Sequence, residues 1–151
     1  MSAGGAFLLD TNVVLHATRE NSPVSAAIDE QFALSTSRFR PAICEVSIGE
    51  LLGFTHSSRW GERRRTLLDE QIARCLVIPI SHPGVHLRWA EMSSRLQAAG
   101  KTVGQNDIWI AATASVTDLM LLTTDGDFRQ LVGLGMLRAV LLDARTGRAT
   151  V

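Results

Sequence analysis

Four acidic residues stand where a short apolar run gives way to a helix-like segment. They are Asp10 in FLLDTN, Glu50 in SIGELLG, Asp107 in GQNDIWIAATA and Asp125 in LLTTDGDF. Carboxylates gathered at such junctions repel one another unless a cation neutralises them. Their recurrence points to a divalent metal site, which makes the chain a candidate enzyme for cutting phosphodiester bonds.

Each of these acids also has a purely structural explanation. The competing assignments are an N-cap or Asx-turn at Asp10-Thr11-Asn12, an N-cap at Asn106-Asp107, a turn at Asp125-Gly126, and a capping box of Ser47 with Glu50. Asp and Asn favour caps and turns for reasons unrelated to catalysis, and one such residue alone therefore indicates little. The four acids together favour a common site, while the cap and turn assignments stay open at this point.

Two further carboxylates lie close in sequence to the four acids, and each could belong to the site or lie outside it. Glu45 precedes Glu50 by five residues, and at about 100° per residue the two side chains lie about 140° apart around a helix. Because one site cannot use both, we expect Glu45 to lie outside it. Asp127 follows Asp125 by two residues and is either a further ligand or a loop carboxylate.

The size and composition of the chain are those of one globular domain. It has 151 residues, 46% of them apolar and 20% charged, with 15 basic and 15 acidic side chains. Zero net charge argues against a global attraction to polyanions but not a local one, since the field over a groove depends on where charges lie. We predict a single domain over 1–151, with a core at about 7–142 and a frayed tail at 143–151.

The cysteines and the hydropathy indicate a compartment. Cys44 and Cys75 show no paired or zinc-like spacing, which predicts two reduced, buried thiols in a reducing environment. The N-terminal segment MSAGGAFLLD has no basic leader, and no run of 18 apolar residues occurs. We therefore expect a cytoplasmic protein with no membrane association.

Short apolar runs alternate with longer helix-patterned segments along the chain. We predict strands at 6–9, 39–43, 76–80, 119–123 and 137–142. We predict helices at 14–20, 24–34, 44–54, 60–75, 84–99, 107–116 and 128–131. This alternation is typical of an α/β fold in which helices cover both faces of a mostly parallel sheet.

This architecture gives the four acids a shared location. Ligands of an open parallel sheet bind beyond the carboxyl ends of its strands. Asp10 ends the first predicted strand and Asp125 follows the fourth, which places both at that edge. Glu50 lies about two turns into the helix after the second strand, and Asp107 opens the helix before the fourth. Each of these two can therefore lean over the same edge.

Four motifs carry a resemblance to a known family. They are LLDTN at 8–12, SIGELLG at 47–53, NDIWIAATA at 106–114 and LLTTDGDF at 121–128. With these motifs in this order, the chain resembles the PIN domain over residues 7–142. More narrowly, it is similar to the VapC-type ribonuclease toxins of bacterial toxin–antitoxin pairs. One motif alone would be a weak signal, whereas four in order are specific.

The resemblance implies a fold, an activity and partners. The implied fold is a PIN-like three-layer sandwich around a five-stranded, mostly parallel sheet of order 3-2-1-4-5. The implied activity is hydrolysis of RNA with Mg²⁺ or Mn²⁺, leaving a 5′-phosphate and a 3′-hydroxyl. The implied partners are a second copy of the chain, as a homodimer, and a small cognate antitoxin protein that neutralises the enzyme.

The family pattern also implies a role for each residue of the site. Its four acidic positions match Asp10, Glu50, Asp107 and Asp125, and a more variable fifth position matches Asp127. Its orienting polar neighbours match Thr11, Asn12, Ser47 and Thr123, with Ser47 standing where Thr is more usual. Hard cations prefer oxygen ligands, and a bound cation can polarise a phosphate and activate water. We assign Asp10, Asp107 and Asp125 to metal ligation, and Glu50 to ligation or to orienting a metal-bound water.

One dense basic cluster offers a surface for RNA phosphates, with binding that would weaken as salt rises. It comprises Arg59, Arg63, Arg64 and Arg65. The alternative is a solvated helix face whose arginines pair with Glu62, Asp69 and Glu70 along the same helix. Trp109, inside an apolar helix, is expected in the core or at a dimer interface.

Three function classes remain open. The first is a metal-dependent endoribonuclease toxin. The second is a haloacid-dehalogenase-like phosphatase, which also places an Asp after its first strand but needs another Asp two residues later, where this chain has Asn12. The third is a catalytically silent PIN-like binding module, and the presence of every acid that activity needs argues against it.

Overall fold

The structure is a computed structural model that describes residues 6–150; residues 1–5 and 151 lie outside the described part. The strands are Phe7–Leu9 (β1), Ala42–Cys44 (β2), Leu76–Ile78 (β3), Met120–Thr123 (β4) and Ala139–Leu141 (β5). The helices are Thr11–Ala17 (α1), Pro23–Phe32 (α2), Glu45–Ser57 (α3), Glu62–Arg74 (α4), Val85–Ala98 (α5), Gln105–Thr117 (α6) and Arg129–Gly133 (α7). A short 3₁₀ turn, Gly126–Phe128, leads into α7.

The five strands form one sheet in the order β3-β2-β1-β4-β5, and every pairing between them is parallel. At its centre Leu8 of β1 is in register with Ala42 of β2 and with Leu121 of β4. The predicted α/β class and strand order are confirmed. Because the chain winds in opposite directions on the two sides of β1, a cleft opens at the carboxyl ends of β1 and β4.

Two apolar cores lie on opposite faces of the sheet, since successive strand residues point to opposite sides. Leu8 and Leu121 pack with α5, α6 and α7, whereas Leu9 and Leu122 pack with α1 to α4. Burying each such leucine stabilises the fold by about 1.5–3 kcal/mol relative to leaving it exposed. The predicted three-layer sandwich is therefore the arrangement that buries both faces of every central strand.

Helix α1 begins at Thr11, earlier than the predicted start at 14, and ends at Ala17 instead of 20. Asp10 has an extended backbone, with φ −70° and ψ 158°, and its side chain accepts a hydrogen bond from the Thr11 amide. This N-cap decides the start of the helix, because it satisfies an amide that would otherwise have no partner. Asp10 is thus a cap, whatever else it does.

Strand β2 is shorter and later than the predicted range of 39–43. Pro41 has no N–H to donate to a ladder, and the strand begins only at Ala42, leaving Phe39 55% exposed in the preceding loop. Helix α3 then continues past Gly53 to Ser57, beyond the predicted end at 54. Glycine costs a helix interior about 1 kcal/mol relative to alanine, which is too little to end a helix that packs on the core.

The remaining elements differ from the predictions mainly at their ends. Strand β3 stops at Ile78 and not at 80, because Pro79 cannot continue the ladder. Strand β5 lies within the predicted 137–142 range. The last predicted helix, 128–131, is preceded by the 3₁₀ turn and extends to Gly133.

The tail folds back on the domain, so the expectation of a frayed tail is wrong for residues 143–150; residue 151 lies outside the described residues. Leu142 and Ala149 form an antiparallel bridge. The Gln31 amide on α2 donates to Gly147 O at 2.7 Å and accepts from the Ala149 amide at 2.8 Å. These paired hydrogen bonds order the segment, because they satisfy backbone groups that water would otherwise occupy.

Both cysteines, Cys44 and Cys75, are free and buried, as the sequence predicts. Among residues 6–150, no helix combines the length and the hydropathy that a membrane span requires.

The packing of the tail can be tested at Gly147. Its φ is +76°, and a Cβ added there would lie 2.4 Å from Val24 O. We expect Gly147→Ala to lower the free energy of unfolding in urea by about 1–3 kcal/mol, the cost of a strained left-handed backbone. The control is Gly53→Ala, where no atom lies within 4 Å, and it should raise that free energy by about 0.5–1 kcal/mol. Equal stabilities of Gly147→Ala and the wild type would contradict the folded-back tail.

Candidate active site

Two neighbouring strands bring carboxylates to one edge of the sheet. The Asp10 amide continues the β1–β4 pairing by donating to Leu122 O at 3.0 Å. Beyond it, the Thr123 hydroxyl donates to Asp10 Oδ2 at 2.7 Å and accepts from the Asp125 amide at 2.9 Å. Thr123 therefore holds the residues that follow β1 and β4 in fixed relative positions, as expected of an orienting neighbour.

Asp10 lies at the bottom of this edge and is only 3% exposed. Burial raises the pKa of its carboxyl group to about 6, and the negative charges of Glu50 and Asp125 add to that rise. Hydrogen bonds from the Thr123 hydroxyl and the Thr11 amide oppose it. A buried carboxylate of this kind is stabilised when a cation lies nearby.

Glu50 reaches the same edge from α3. Its Oε1 lies 2.6 Å from the Thr11 hydroxyl, which itself lies 2.8 Å from Ser47 Oγ. A hydroxyl has one proton and a carboxylate has none to give. Thr11 therefore donates to Glu50, and Ser47 donates to Thr11. The chain of hydrogen bonds fixes the orientation of the Glu50 carboxylate.

Asn106 contacts Glu50, and the sequence did not predict this contact. Its side-chain amide donates to Glu50 Oε2 at 3.4 Å, on the side of the carboxylate away from Thr11. The residue is visible in the NDIWIAATA motif, but the sequence suggested only a cap for it. Because α3 and α6 come from distant parts of the chain, the pairing of Asn106 with Glu50 exists only in the folded protein.

Asp107 is not a cap, which corrects one structural alternative. Helix α6 begins at Gln105 with Gly104 as N-cap, and Asp107 lies in its first turn. Its carboxylate is therefore free to face the other acids. Burial raises its pKa to about 7, and four nearby carboxylates contribute in the order Asp10, Asp125, Glu50 and Asp127. All five acids thus repel one another within a single site.

Three of these carboxylates form a compact group. One oxygen from each of Asp107, Asp125 and Asp127 lies within 4.8 Å of the others. Asp127, which the sequence left undecided, is in this group. Asp10 is not part of it, and the assignment of Asp10 to metal ligation stays a prediction. Asp125 also caps the 3₁₀ turn by accepting from the Asp127 amide at 2.9 Å, so its turn role and its place in the group coexist.

The donor set of this group fits a hard divalent cation. All three residues offer carboxylate oxygens, the ligands that Mg²⁺ and related cations prefer. Burial and the neighbouring carboxylates both raise the pKa of Asp107, so its ionised form needs compensating positive charge. A divalent cation held by Asp107, Asp125 and Asp127 would supply it.

The other residues singled out in the sequence divide between site and scaffold. Asn12 Oδ1 accepts from the Thr124 amide at 3.3 Å and so ties α1 to the segment after β4. Glu45 is exposed and its carboxylate accepts a hydrogen bond from the Ile80 amide. Glu45 therefore anchors the segment after β3 and lies outside the carboxylate site, as expected from the helical angle.

Three arginines of the cluster make contacts within the domain. Arg64 stacks its guanidinium 3.7 Å from the centre of the Trp60 ring, and Arg65 donates to Trp60 O at 3.1 Å. Arg63 pairs with Glu20 at 2.8 Å and not with an acid of its own helix, so the predicted pairing along the helix is wrong. RNA binding by this cluster, including Arg59, stays a prediction.

Trp109 packs in the helical layer that contains α5 and α6. It stacks on Trp89 with ring centroids 5.1 Å apart and meets the edge of His86 at 5.7 Å. It is half-buried against the core formed by α5 and α6. Trp109 therefore packs against the core, one of its two expected places, and a role at a dimer interface stays a prediction.

One cavity among the described residues lies away from this site. It has a volume of about 700 Å³ and is lined by residues of α1, α2, the loop before β2 and the end of α4, with none of the five carboxylates among them. The acidic edge and this cavity are therefore separate features of the fold.

The sequence profile of the PIN domain family matches residues 7–134. The chain belongs to the PIN domain family. This PIN domain is 30% identical over 128 residues to Ribonuclease VapC5 of Mycobacterium tuberculosis, covering 85% of this chain and 89% of that protein. It is 23% identical over 129 residues to Ribonuclease VapC2 of Haemophilus influenzae, covering 85% and 93%. The predicted resemblance to VapC-type proteins is confirmed.

Solved structures share the fold of this PIN domain. It superposes with a TM-score of 0.76 at 22% identity on VapBC2 from Rickettsia felis bound to a DNA fragment from its promoter, covering 91% of this chain and 99% of that one. With VapBC-5, a toxin–antitoxin system of Mycobacterium tuberculosis, the TM-score is 0.70 at 26% identity, over 91% and 99% of the two chains.

The crowding of carboxylates in the PIN domain predicts a pH-dependent stability. Asp107 has an ordinary pKa of 3.8 but about 7 in the fold. A carboxyl group with a raised folded-state pKa costs stability as pH rises through that pKa, because the folded state must then carry its charge. In chelator-treated protein we expect Asp107→Asn to raise the melting temperature most near pH 8, with a gain that shrinks steadily towards pH 4, around the ordinary pKa of 3.8.

Added Mn²⁺ supplies the internal control for this comparison. It should stabilise the wild type at the higher pH and have a smaller effect on Asp107→Asn, since metal binding is coupled to folding and to loss of protons from the ligands. A stability difference between the two proteins that does not vary with pH would contradict the mutual repulsion of these acids.

Proposed function

We propose that this PIN domain is a metal-dependent endoribonuclease that hydrolyses RNA phosphodiester bonds and is neutralised by a cognate antitoxin. The observation that carries the proposal is the group formed by Asp107, Asp125 and Asp127, whose oxygens lie within 4.8 Å of one another. Support also comes from relatives named as VapC ribonucleases. We expect the protein to perform this function in the cytoplasm, where it would meet both RNA and the antitoxin.

The residues of the site divide the work between them. Asp107, Asp125 and Asp127 would hold Mg²⁺ or Mn²⁺, with Asp10 contributing buried negative charge behind them. When bound, such a cation polarises a phosphate oxygen, lowers the pKa of water and offsets charge on the leaving group. No nucleophilic side chain is then required. Water attacks phosphorus and loses a proton, the bond to the 3′ oxygen breaks, and that oxygen takes a proton from solvent. The products carry a 5′-phosphate and a 3′-hydroxyl.

Glu50 is the group best placed to orient the attacking water and accept its proton. Hydrogen bonds from Thr11 and Asn106 hold the two oxygens of its carboxylate from opposite sides. Fixing a carboxylate in one orientation reduces the reorganisation needed during the reaction. Ser47 acts one step further out, through Thr11.

The phosphatase alternative finds no support at Asn12. A haloacid-dehalogenase-like enzyme needs a general acid at this position, whereas the Asn12 side chain accepts a hydrogen bond from the Thr124 amide. Asn12 is therefore occupied in joining two parts of the backbone, and it has no proton of suitable acidity to transfer.

The proposed partners are an antitoxin and a second copy of the chain. An antitoxin would neutralise the enzyme by covering the acidic edge, and an arginine from it could pair with the carboxylates that otherwise hold the cation. The resemblance to VapC-type proteins implies a homodimer, and we expect light scattering at micromolar concentration to give the mass of a dimer. A strictly monomeric species would count against the dimer.

The activity can be tested on purified protein freed of any antitoxin. We expect cleavage of RNA with Mg²⁺ or Mn²⁺, loss of cleavage with chelator, and recovery when the metal is returned. Asp10→Asn should abolish cleavage in the same assay. Sequencing the 5′ ends of fragments after brief expression, beside the Asp10→Asn variant, identifies the target. Metal-independent cleavage that survives Asp10→Asn would overturn the proposal.

Two glutamates on α3 offer a matched pair for assigning the role of Glu50. Glu50→Gln removes a negative charge but keeps the volume, and we expect it to lower the cleavage rate by about 10²–10³-fold, the usual cost of one stabilising group at a reaction centre. Glu45→Gln keeps an oxygen that can accept from the Ile80 amide, and its rate should match the wild type. Equal rates for both variants would remove Glu50 from the mechanism.

The antitoxin is tested by coexpression with the product of the adjacent reading frame. We expect the two proteins to copurify and the complex to cut RNA no faster than the Asp10→Asn variant, even with excess Mn²⁺. If no small protein is encoded there, or if the two fail to copurify, the proposed inhibition is wrong, while the cleavage assay on the isolated protein still decides the enzyme.

A further inference from the structure

Arg129 stands beside the carboxylate group and pairs with none of its members. A methyl group added to Gly126, which lies between Asp125 and Asp127, would come within 3.0 Å of Arg129 Nη1. The guanidinium therefore lies against the backbone that carries two of the three clustered acids. Arg129 is exposed, and none of the four ion pairs found among residues 6–150 includes it.

This lack of an ion pair distinguishes Arg129 from four other arginines of the described residues. In those four ion pairs an arginine meets a single surface acid at 2.8–3.9 Å. Arg129 lies next to the segment that carries Asp125 and Asp127, yet neither of these carboxylates forms an ion pair with it. The guanidinium remains charged at any pH that a protein tolerates, and its planar set of donors matches the oxygens of a phosphate. Its donors are therefore available to a group that approaches the carboxylate edge from solvent.

The backbone of Arg129 is fixed even though its side chain is exposed. Phe128, directly before it, and Leu131, two residues after it, are fully buried. The Gln130 side chain donates to Thr102 O at 2.9 Å, in the loop that precedes α6 and Asp107. These contacts hold Arg129 at a constant place relative to both Asp107 and Asp125, which a phosphate-binding group beside a reaction centre requires.

We propose that Arg129 binds a non-bridging phosphate oxygen of the substrate, next to the phosphate that reacts at the carboxylate group. This assignment rests on the proposed function, because it takes the substrate to be a phosphodiester. An RNA backbone brought to an edge with five carboxylates meets repulsion that a cation at the acids offsets only locally. A fixed positive charge on the solvent side of the group attracts the strand and helps to set its position.

The test measures binding of a short, fluorescently labelled single-stranded RNA by anisotropy, in Mg²⁺ and over a series of salt concentrations. Every protein carries Asp10→Asn to prevent cleavage. We expect Arg129→Ala to weaken binding about tenfold, as for loss of one hydrogen bond between charged groups. The slope of log affinity against log salt should decrease by about 0.7, the value for one lost phosphate contact on a single strand. Arg129→Lys should keep the slope and recover part of the affinity.

Two controls separate this role from indirect effects. Arg38→Ala removes another exposed arginine, whose guanidinium lies over the Phe39 ring in the loop that leads into the amino end of β2. It should change neither affinity nor slope. Gly126→Ala keeps every charge and requires the flexible end of the Arg129 side chain to move only slightly, so it should leave the salt slope unchanged. Titration with Mn²⁺ should give the same metal affinity for Arg129→Ala as for its parent.

An unchanged salt slope in Arg129→Ala overturns the assignment, and so does a loss of RNA binding that is matched by a loss of Mn²⁺ binding. Failure of the proposed function has a different signature, since the unmutated protein would then not cut RNA whatever the slopes show. RNA binding too weak to detect in every variant would overturn the assignment of Arg129 alone, because cleavage by the unmutated protein still decides the proposed function.

Discussion

Mutual repulsion among carboxylates is the constraint on which the rest of this structure depends. Five acids are brought to one edge of a parallel sheet, where burial, and after it the charges of the other four acids, raises the pKa of Asp107 to about 7. Such an arrangement costs the fold stability when no cation is bound. It persists because strong elements impose it: two apolar cores, a central β1–β4 pairing and the Thr123 hydroxyl that joins the acids following those strands.

The hydrogen bonds around the acids hold some of the mutually repelling carboxylates in fixed orientations. Asp10 receives two bonds that hold it in place at the bottom of the edge. Glu50 receives one from each side, from Thr11 and Asn106. Three further carboxylates carry oxygens close enough to share one cation. The site therefore separates acids fixed by the protein from acids left open to a ligand, which is the division that a metal-dependent hydrolase needs.

Structural and functional roles coincide at several residues, because the site is built from the ends of secondary-structure elements. Asp10 caps α1 and Asp125 caps the 3₁₀ turn, as the local sequence suggested. Neither cap excludes a place in the acidic edge. A carboxylate has two oxygens with several lone pairs, and one backbone amide uses only part of that capacity. Asp10 and Asp125 can therefore act both as caps and as members of the site. At Asp107 there is no cap, because Gly104 is the N-cap of α6.

The sequence by itself determined the fold class, the strand order through family resemblance, and four acids that meet at one edge. These follow from the alternation of apolar runs and from motif order, which are local properties. It placed element ends less well, at β2 and α1, because a missing amide at Pro41 and a cap at Asp10 outweigh apolar periodicity. Only the tertiary structure decided the contact of Asn106 with Glu50, the grouping of Asp127 with its neighbours and the freedom of Arg129. Each depends on distances between segments that spacing along the chain does not encode.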